Sequence, residues 1–123
     1  MSCFQLLGTL FNEDCEKTML KISDNFIDLT LTSPPYDNLR KYSGYNYNLE
    51  NIVSQLFRIT KPGGVIVWIA GDATYNGNET GTSFKQALFF QESGFNLFDT
   101  MIYAKMPRGA VGNNTIAYFI LVQ

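Results

Sequence analysis

Two hydrophobic periods alternate along the 123 residues. Phe26-Ile27-Asp28-Leu29-Thr30-Leu31 is rich in residues that suit a pleated, buried strand. It must stop at Ser33, because Pro34 and Pro35 donate no backbone hydrogen bonds and fix their own φ. Downstream the period changes. Leu49, Ile52, Val53, Leu56 and Phe57 form an apolar stripe at helical spacing, capped by Asn48 and ended by Lys61-Pro62-Gly63-Gly64. Gly64 to Ala70 is then a near-continuous apolar strand of the kind found inside parallel sheets. Strand, helix and strand make a βαβ unit, which crosses over right-handed.

The flanks are weaker. Leu6 to Asn12 predicts a short strand, with Leu7, Leu10 and Phe11 as its apolar residues. Cys15, Met19 and Ile22 fall on one face of a short helix capped by Asp14, and Ser23-Asp24-Asn25 turns into the first strong strand. Thr82 or Ser83 is expected to cap a further helix, with Phe84, Ala87 and Leu88 inward, Phe89 and Phe90 making it broadly apolar, and Gly94 closing it. Phe95 to Lys105 reads as a strand, Met106 to Asn114 as a loop, and Ile116 to Val122 as a last strand, so the chain ends in an antiparallel pair. There is no internal repeat and no sign of a second domain, and residues 1–123 read as one partial α/β domain.

Composition narrows the classes. A hydrophobic content of 46% fits a globular core, and no apolar run approaches the roughly 20 residues of a membrane span. Met1-Ser2-Cys3-Phe4-Gln5 lacks the basic start of a signal peptide, which makes the cytoplasm the expected compartment. With two cysteines and no histidine, zinc sites and His-dependent nucleophilic schemes are not expected. The net charge of −2 is unlike that of a free-standing DNA binder. Near candidate loops the basic residues are Arg40, Lys41, Lys105 and Arg108.

The candidate chemistry lies at Thr32-Ser33-Pro34-Pro35-Tyr36. A hydroxyl, two free carbonyls and an aromatic ring meet at the carboxyl end of a strand, where open α/β sheets bind ligands. An aryl amine is a poor nucleophile, because its lone pair is delocalised into the ring. Two acceptors aimed at its hydrogens, the Ser33 hydroxyl and the Pro34 carbonyl, free that lone pair. The Tyr36 ring can stack on a flipped base, and the Pro34-Pro35 backbone keeps the groups rigid. The alternative is a surface turn with Tyr36 as ordinary packing. Asp72, at the end of the second strand, faces the same edge and reads either as a substrate contact or as a cap. Tyr42, Tyr45 and Tyr47 could line a base pocket or simply pack.

This signature resembles the Asp/Asn/Ser-Pro-Pro-Tyr/Phe motif of the DNA amino-methyltransferases acting on N4 of cytosine or N6 of adenine. Asp37-Asn38-Leu39-Arg40-Lys41-Tyr42, the Lys-Pro-Gly-Gly turn, Gly71-Asp72-Ala73-Thr74 and Gly94-Phe95-Asn96-Leu97-Phe98-Asp99-Thr100 are similar too, so the likeness runs from about Phe11 to Lys105. The resemblance implies an incomplete Rossmann-like sheet, mostly parallel with a C-terminal antiparallel strand pair. It implies S-adenosyl-L-methionine (AdoMet) as cofactor, with Asp14 and Cys15 near its adenine, although an N-cap and a core cysteine explain those two equally well. It implies double-stranded DNA as substrate, contacted by Arg40, Lys41, Tyr42 and Asp72, in a restriction-modification setting. Serine in the first signature position slightly favours N4-cytosine over N6-adenine.

Family members with the signature this early place their Phe-x-Gly-x-Gly cofactor loop and their target-recognition region downstream, and this chain contains neither. The resemblance therefore implies a catalytic part that binds AdoMet weakly or not at all alone and is inactive without a second chain carrying the rest. A non-catalytic remnant or interaction module is the alternative. An exposed sheet edge is expected to favour a homo-oligomer.

Overall fold

The structure is a computed structural model describing residues 3–36, 47–103 and 116–123, with only the backbone described for residues 3, 4 and 116. Its elements in chain order are α1 (Cys3–Leu6), α2 (Cys15–Leu20), β1 (Ile27–Thr32), α3 (Leu49–Ile59), β2 (Thr60–Gly71), β3 (Thr74–Tyr75), β4 (Asn78–Glu79), α4 (Thr82–Glu92), β5 (Asn96–Tyr103) and β6 (Ile116–Val122). The main sheet has the order β1-β2-β6-β5, and β3 and β4 form a separate small hairpin. β1 and β2 are parallel, and β6 lies antiparallel between β2 and β5. Three of the four main strands thus run one way, and the C-terminal pair is antiparallel, as expected. Among the described residues no helix is long and apolar enough to cross a membrane.

One face of the sheet carries the core. Ile66, Trp68 and Ala70 of β2 and Phe119 and Leu121 of β6 are buried against Ile52, Val53, Leu56 and Ile59 of α3 and Ala87 and Phe90 of α4. Aromatic rings tie these layers together. Trp68 meets Phe90 at 5.0 Å, Phe90 meets Phe95 at 5.5 Å and Phe57 meets Phe95 at 5.2 Å, all edge-on. Such pairs add about 0.5–1.5 kcal/mol each beyond the area they bury.

The helix caps are specific. Asn48 accepts from the Asn51 N–H at 3.1 Å, and Asp14 accepts from the Glu16 N–H at 2.9 Å. The far end of α2 is held from outside its own sequence. The Arg58 guanidinium donates to the carbonyls of Met19 and Ile22 at 2.7 and 2.8 Å and to Asp24 at 2.7 Å. An arginine at the last turn of α3 thereby ties down the last turn of α2 and the residues that follow it.

Several expectations do not hold. Leu6–Asn12 is not a strand; a short helix ends at Leu6, and Leu7 and Leu10 are exposed. A strand needs a neighbour to bond to, and none of the described strands lies beside this segment. Lys61 to Gly64 does not separate α3 from its strand. β2 starts at Thr60, and the excursion is absorbed as a register shift between Ile27↔Thr60 and Leu29↔Val65. In α4 the inward residues are Ser83, Gln86, Ala87 and Phe90, whereas Phe84 and Leu88 point outward. The N-cap is Gly81, not Thr82 or Ser83, and it makes no side-chain cap bond. Lys105, Arg108 and the 106–114 loop lie outside the described residues.

Gly94 closes α4 as expected, with φ +110°, and a Cβ there would stand 2.9 Å from the Phe57 ring. Gly94→Ala should therefore destabilise the chain by about 1–3 kcal/mol, through both backbone strain and overpacking. Urea denaturation measures this; an unchanged midpoint would contradict it.

Candidate active site

β1 ends at Thr32, and Ser33, Pro34, Pro35 and Tyr36 continue from it without regular structure. Ser33 is exposed, and its Oγ lies 2.7 Å from the Tyr36 hydroxyl. The Tyr36 ring folds back onto the end of β2. A Cβ on Gly71 would lie 3.3 Å from two of its ring carbons, so the ring packs directly on glycine backbone. In the sequence Gly71 stood only as part of the Gly71-Asp72-Ala73-Thr74 segment; the fold makes it the seat of the Tyr36 ring.

Asp72 follows Gly71 at the same sheet edge. Its Oδ1 accepts from the Ser83 N–H at 2.7 Å and its Oδ2 from the Ser83 hydroxyl at 2.6 Å. Both oxygens are thus given to the first turn of α4, where a carboxylate also complements the helix dipole. This is the capping alternative, supplied from eleven residues upstream.

Beside the signature opens a cavity of about 560 Å³. Met19 of α2 and Ile22 just beyond it wall one side, Ile52, Leu56 and Ile59 of α3 and Trp68 of β2 the others, with Ser33, Pro34 and Pro35 at its end. No charged side chain lines it among the described residues. Cys15 lines the cavity, but Asp14 does not; the Asp14 carboxylate is engaged as the α2 cap. The Cys15 thiol is pushed above its ordinary pKa, first by burial and then by the adjacent Asp14 and Glu16 carboxylates. The Glu13 carboxyl is held below its ordinary value mainly by its hydrogen bond with Lys21. Tyr47 also lines the cavity. Its hydroxyl accepts from Gln86 at 2.8 Å, and Gln86 in turn accepts from the Trp68 indole at 2.9 Å. Gln86 is buried, and sequence reading passed over it because it is a polar residue on an apolar stripe. Arg40, Lys41, Tyr42 and Tyr45 lie outside the described residues.

The fold is that of solved AdoMet-dependent methyltransferases. The chain superposes on PvuII DNA methyltransferase (cytosine-N4-specific) with TM-score 0.67 and 18% identity, covering 89% of this chain and 47% of that one. It superposes on M1.HpyAVI, solved as a complex with AdoMet, with TM-score 0.58 and 20% identity, covering 94% and 53%. Sequence narrows the class. Residues 27–120 match the DNA methylase family of N6/N4 methyltransferases, and the chain belongs to that family. It is 62% identical over 84 residues to orphan methyltransferase M.BamHII of Bacillus amyloliquefaciens, a match covering 68% of this chain and 32% of that protein. The chain thus spans about a third of that relative and about half of each solved chain.

Asp72→Ala should cost about 1–2 kcal/mol by uncapping α4, visible as a lower urea midpoint; a neutral effect would show that the cap contributes nothing. Because its pKa is raised, Cys15 carries less thiolate than a free cysteine at pH 8. In a Cys3→Ser background its alkylation by iodoacetamide should be slow there and accelerate only at higher pH. A rate profile matching free cysteine would contradict this.

Proposed function

We propose that this chain is the base-positioning part of an AdoMet-dependent DNA methyltransferase. Its substrate is the exocyclic amino group of a base flipped out of double-stranded DNA, with N4 of cytosine favoured over N6 of adenine. The observation that carries the reading is the placement of Ser33-Pro34-Pro35-Tyr36 at the carboxyl end of β1, beside an apolar cavity, in a member of the DNA methylase family. The Ser33 hydroxyl and the Pro34 carbonyl accept the two amino hydrogens and leave the nitrogen lone pair directed outward. A hydroxyl that accepts must place its own proton elsewhere, and the Tyr36 oxygen 2.7 Å away can take it. The Tyr36 ring, seated on Gly71, gives the flipped base a stacking surface.

AdoMet would supply the electrophilic methyl group. The cavity fits part of it: the apolar walls and Cys15 suit a flat adenine ring. The described residues place no charged group there to bind a methionine end. The chain alone should therefore bind AdoMet weakly or not at all and transfer no methyl group to DNA. Activity depends on a polypeptide that supplies the remaining cofactor contacts and the sequence reader.

The test uses a complemented enzyme, the chain combined with the part of M.BamHII that it does not span. Methyl transfer to duplex DNA, with N4-methylcytosine identified by mass spectrometry, is the expected result. Ser33→Ala should lower kcat by about 10²–10³-fold with little change in thermal stability. Sub-millimolar AdoMet binding by the chain alone would show a more complete pocket than proposed. A fully active Ser33→Ala enzyme would overturn the role given to the signature.

A further inference from the structure

Gln86 is a buried amide that the proposed chemistry does not use. It is 6% exposed on the inner face of α4, beside Ser83, Ala87 and Phe90. A polar side chain in that place needs both ends satisfied. One end serves the core. The Trp68 indole N–H only donates, so the Gln86 atom 2.9 Å from it is the amide oxygen. That contact fixes which way the amide lies. Its NH2 group turns the other way and donates to the Tyr47 hydroxyl at 2.8 Å.

Trp68 by itself does not demand a glutamine. Its single N–H needs one acceptor, and the second amide group is given to a residue 39 positions upstream. Tyr47 and Trp68 both line the cavity beside the signature, and Gln86 does not. The amide therefore stands behind the wall and joins two of its sides. Those sides differ in how they are held. Trp68 is fixed within β2 and against the Phe90 ring. Tyr47 stands outside regular structure, just before Asn48, the α3 cap. Its ring packs on the core, but apolar packing is not directional, and the hydrogen bond to a fixed amide sets where its tip lies. Tyr47 also lines a second hollow, walled by Glu16, Leu49 and Phe89. Its ring stands between the two spaces, so a displaced ring would open the cavity wall.

We propose that Gln86 is a positioning residue for cofactor binding, holding the Tyr47 ring as a wall of the cavity that takes the adenine of AdoMet. This rests on the reading of the chain as part of a DNA methyltransferase. Gln86 touches no ligand; it carries the fixed position of Trp68 across to Tyr47. A wall contact far from the transferred methyl group acts alike in ground and transition states. Its loss therefore falls on AdoMet affinity and KM, not on kcat.

The test measures AdoMet affinity by calorimetry on the chain combined with the part of M.BamHII that it does not span. Tyr47→Phe keeps the ring and removes its bond to Gln86. It should raise the dissociation constant, and KM for AdoMet with it, about tenfold, while kcat stays within about twofold. Gln86→Leu should do the same, and in a Tyr47→Ala background it should add nothing further. Trp68 is the only tryptophan, so the free chain supplies a control. Its emission should shift in Gln86→Leu, which removes the indole acceptor, and stay in place in Tyr47→Phe. Weaker binding with an undisturbed Trp68 is a result that general loosening of the core does not produce. Tyr47→Phe decides alone if Gln86→Leu does not fold. The inference is overturned if Tyr47→Phe binds AdoMet as tightly as the parent, or if Gln86→Leu weakens binding equally without the Tyr47 ring. Calorimetry needs no methyl transfer. A complex that binds AdoMet with these differences but methylates no DNA would overturn the proposed function and leave the role of Gln86 standing, whereas an unsubstituted complex that binds no AdoMet would overturn both.

Discussion

The arrangement depends on the burial of Trp68. Its side chain is almost fully enclosed, edge-on to Phe90 and hydrogen-bonded through its indole to Gln86. The ring occupies the middle of the most buried strand, so it fixes how far α4 stands from the sheet. It also walls the cavity beside the signature. A smaller residue there would loosen the core and the site together. The buried amide of Gln86 is tolerated because the indole N–H and the Tyr47 hydroxyl both satisfy it, and an unpaired amide in that position would cost about 1–3 kcal/mol.

The signature is held partly by means that its own sequence does not contain. Two prolines stiffen the backbone as it leaves the sheet. The Tyr36 ring rests on Gly71, where any side chain would crowd it. The next residue, Asp72, anchors α4, whose inward face carries Gln86 and Phe90. Ring, sheet edge and helix are thereby linked through two adjacent residues of β2 and the turn after it. Proline rigidity and glycine contact serve the same end, which is pre-organisation of the groups that would meet a substrate.

The Arg58 clamp makes the same point at the other side of the cavity. α2 is only six residues long, too short to be stable by itself. It persists because Met19 enters the core and Arg58 donates to the Met19 carbonyl and to that of Ile22 just after the helix. The placement of Cys15 in the cavity wall therefore depends on a residue more than forty positions later in the chain.

The sequence by itself determined the elements whose burial pattern is unambiguous. β1, α3, β2 and β6, the caps Asn48 and Asp14, the Gly94 stop and the edge position of Ser33 were all legible, because period, capping chemistry and proline geometry act within a few residues. Tertiary structure decided the rest. α4 is apolar on more than one stripe, so its contacts with Trp68, Phe95 and Asp72 selected Ser83, Gln86, Ala87 and Phe90 as its inner face. Leu6–Asn12 has strand composition but no adjacent strand to bond, so its local preference goes unused. That Asp72 caps α4 is visible only once the fold brings Ser83 to both of its oxygens. In each case the deciding partner lies far along the chain, where no local pattern can report it.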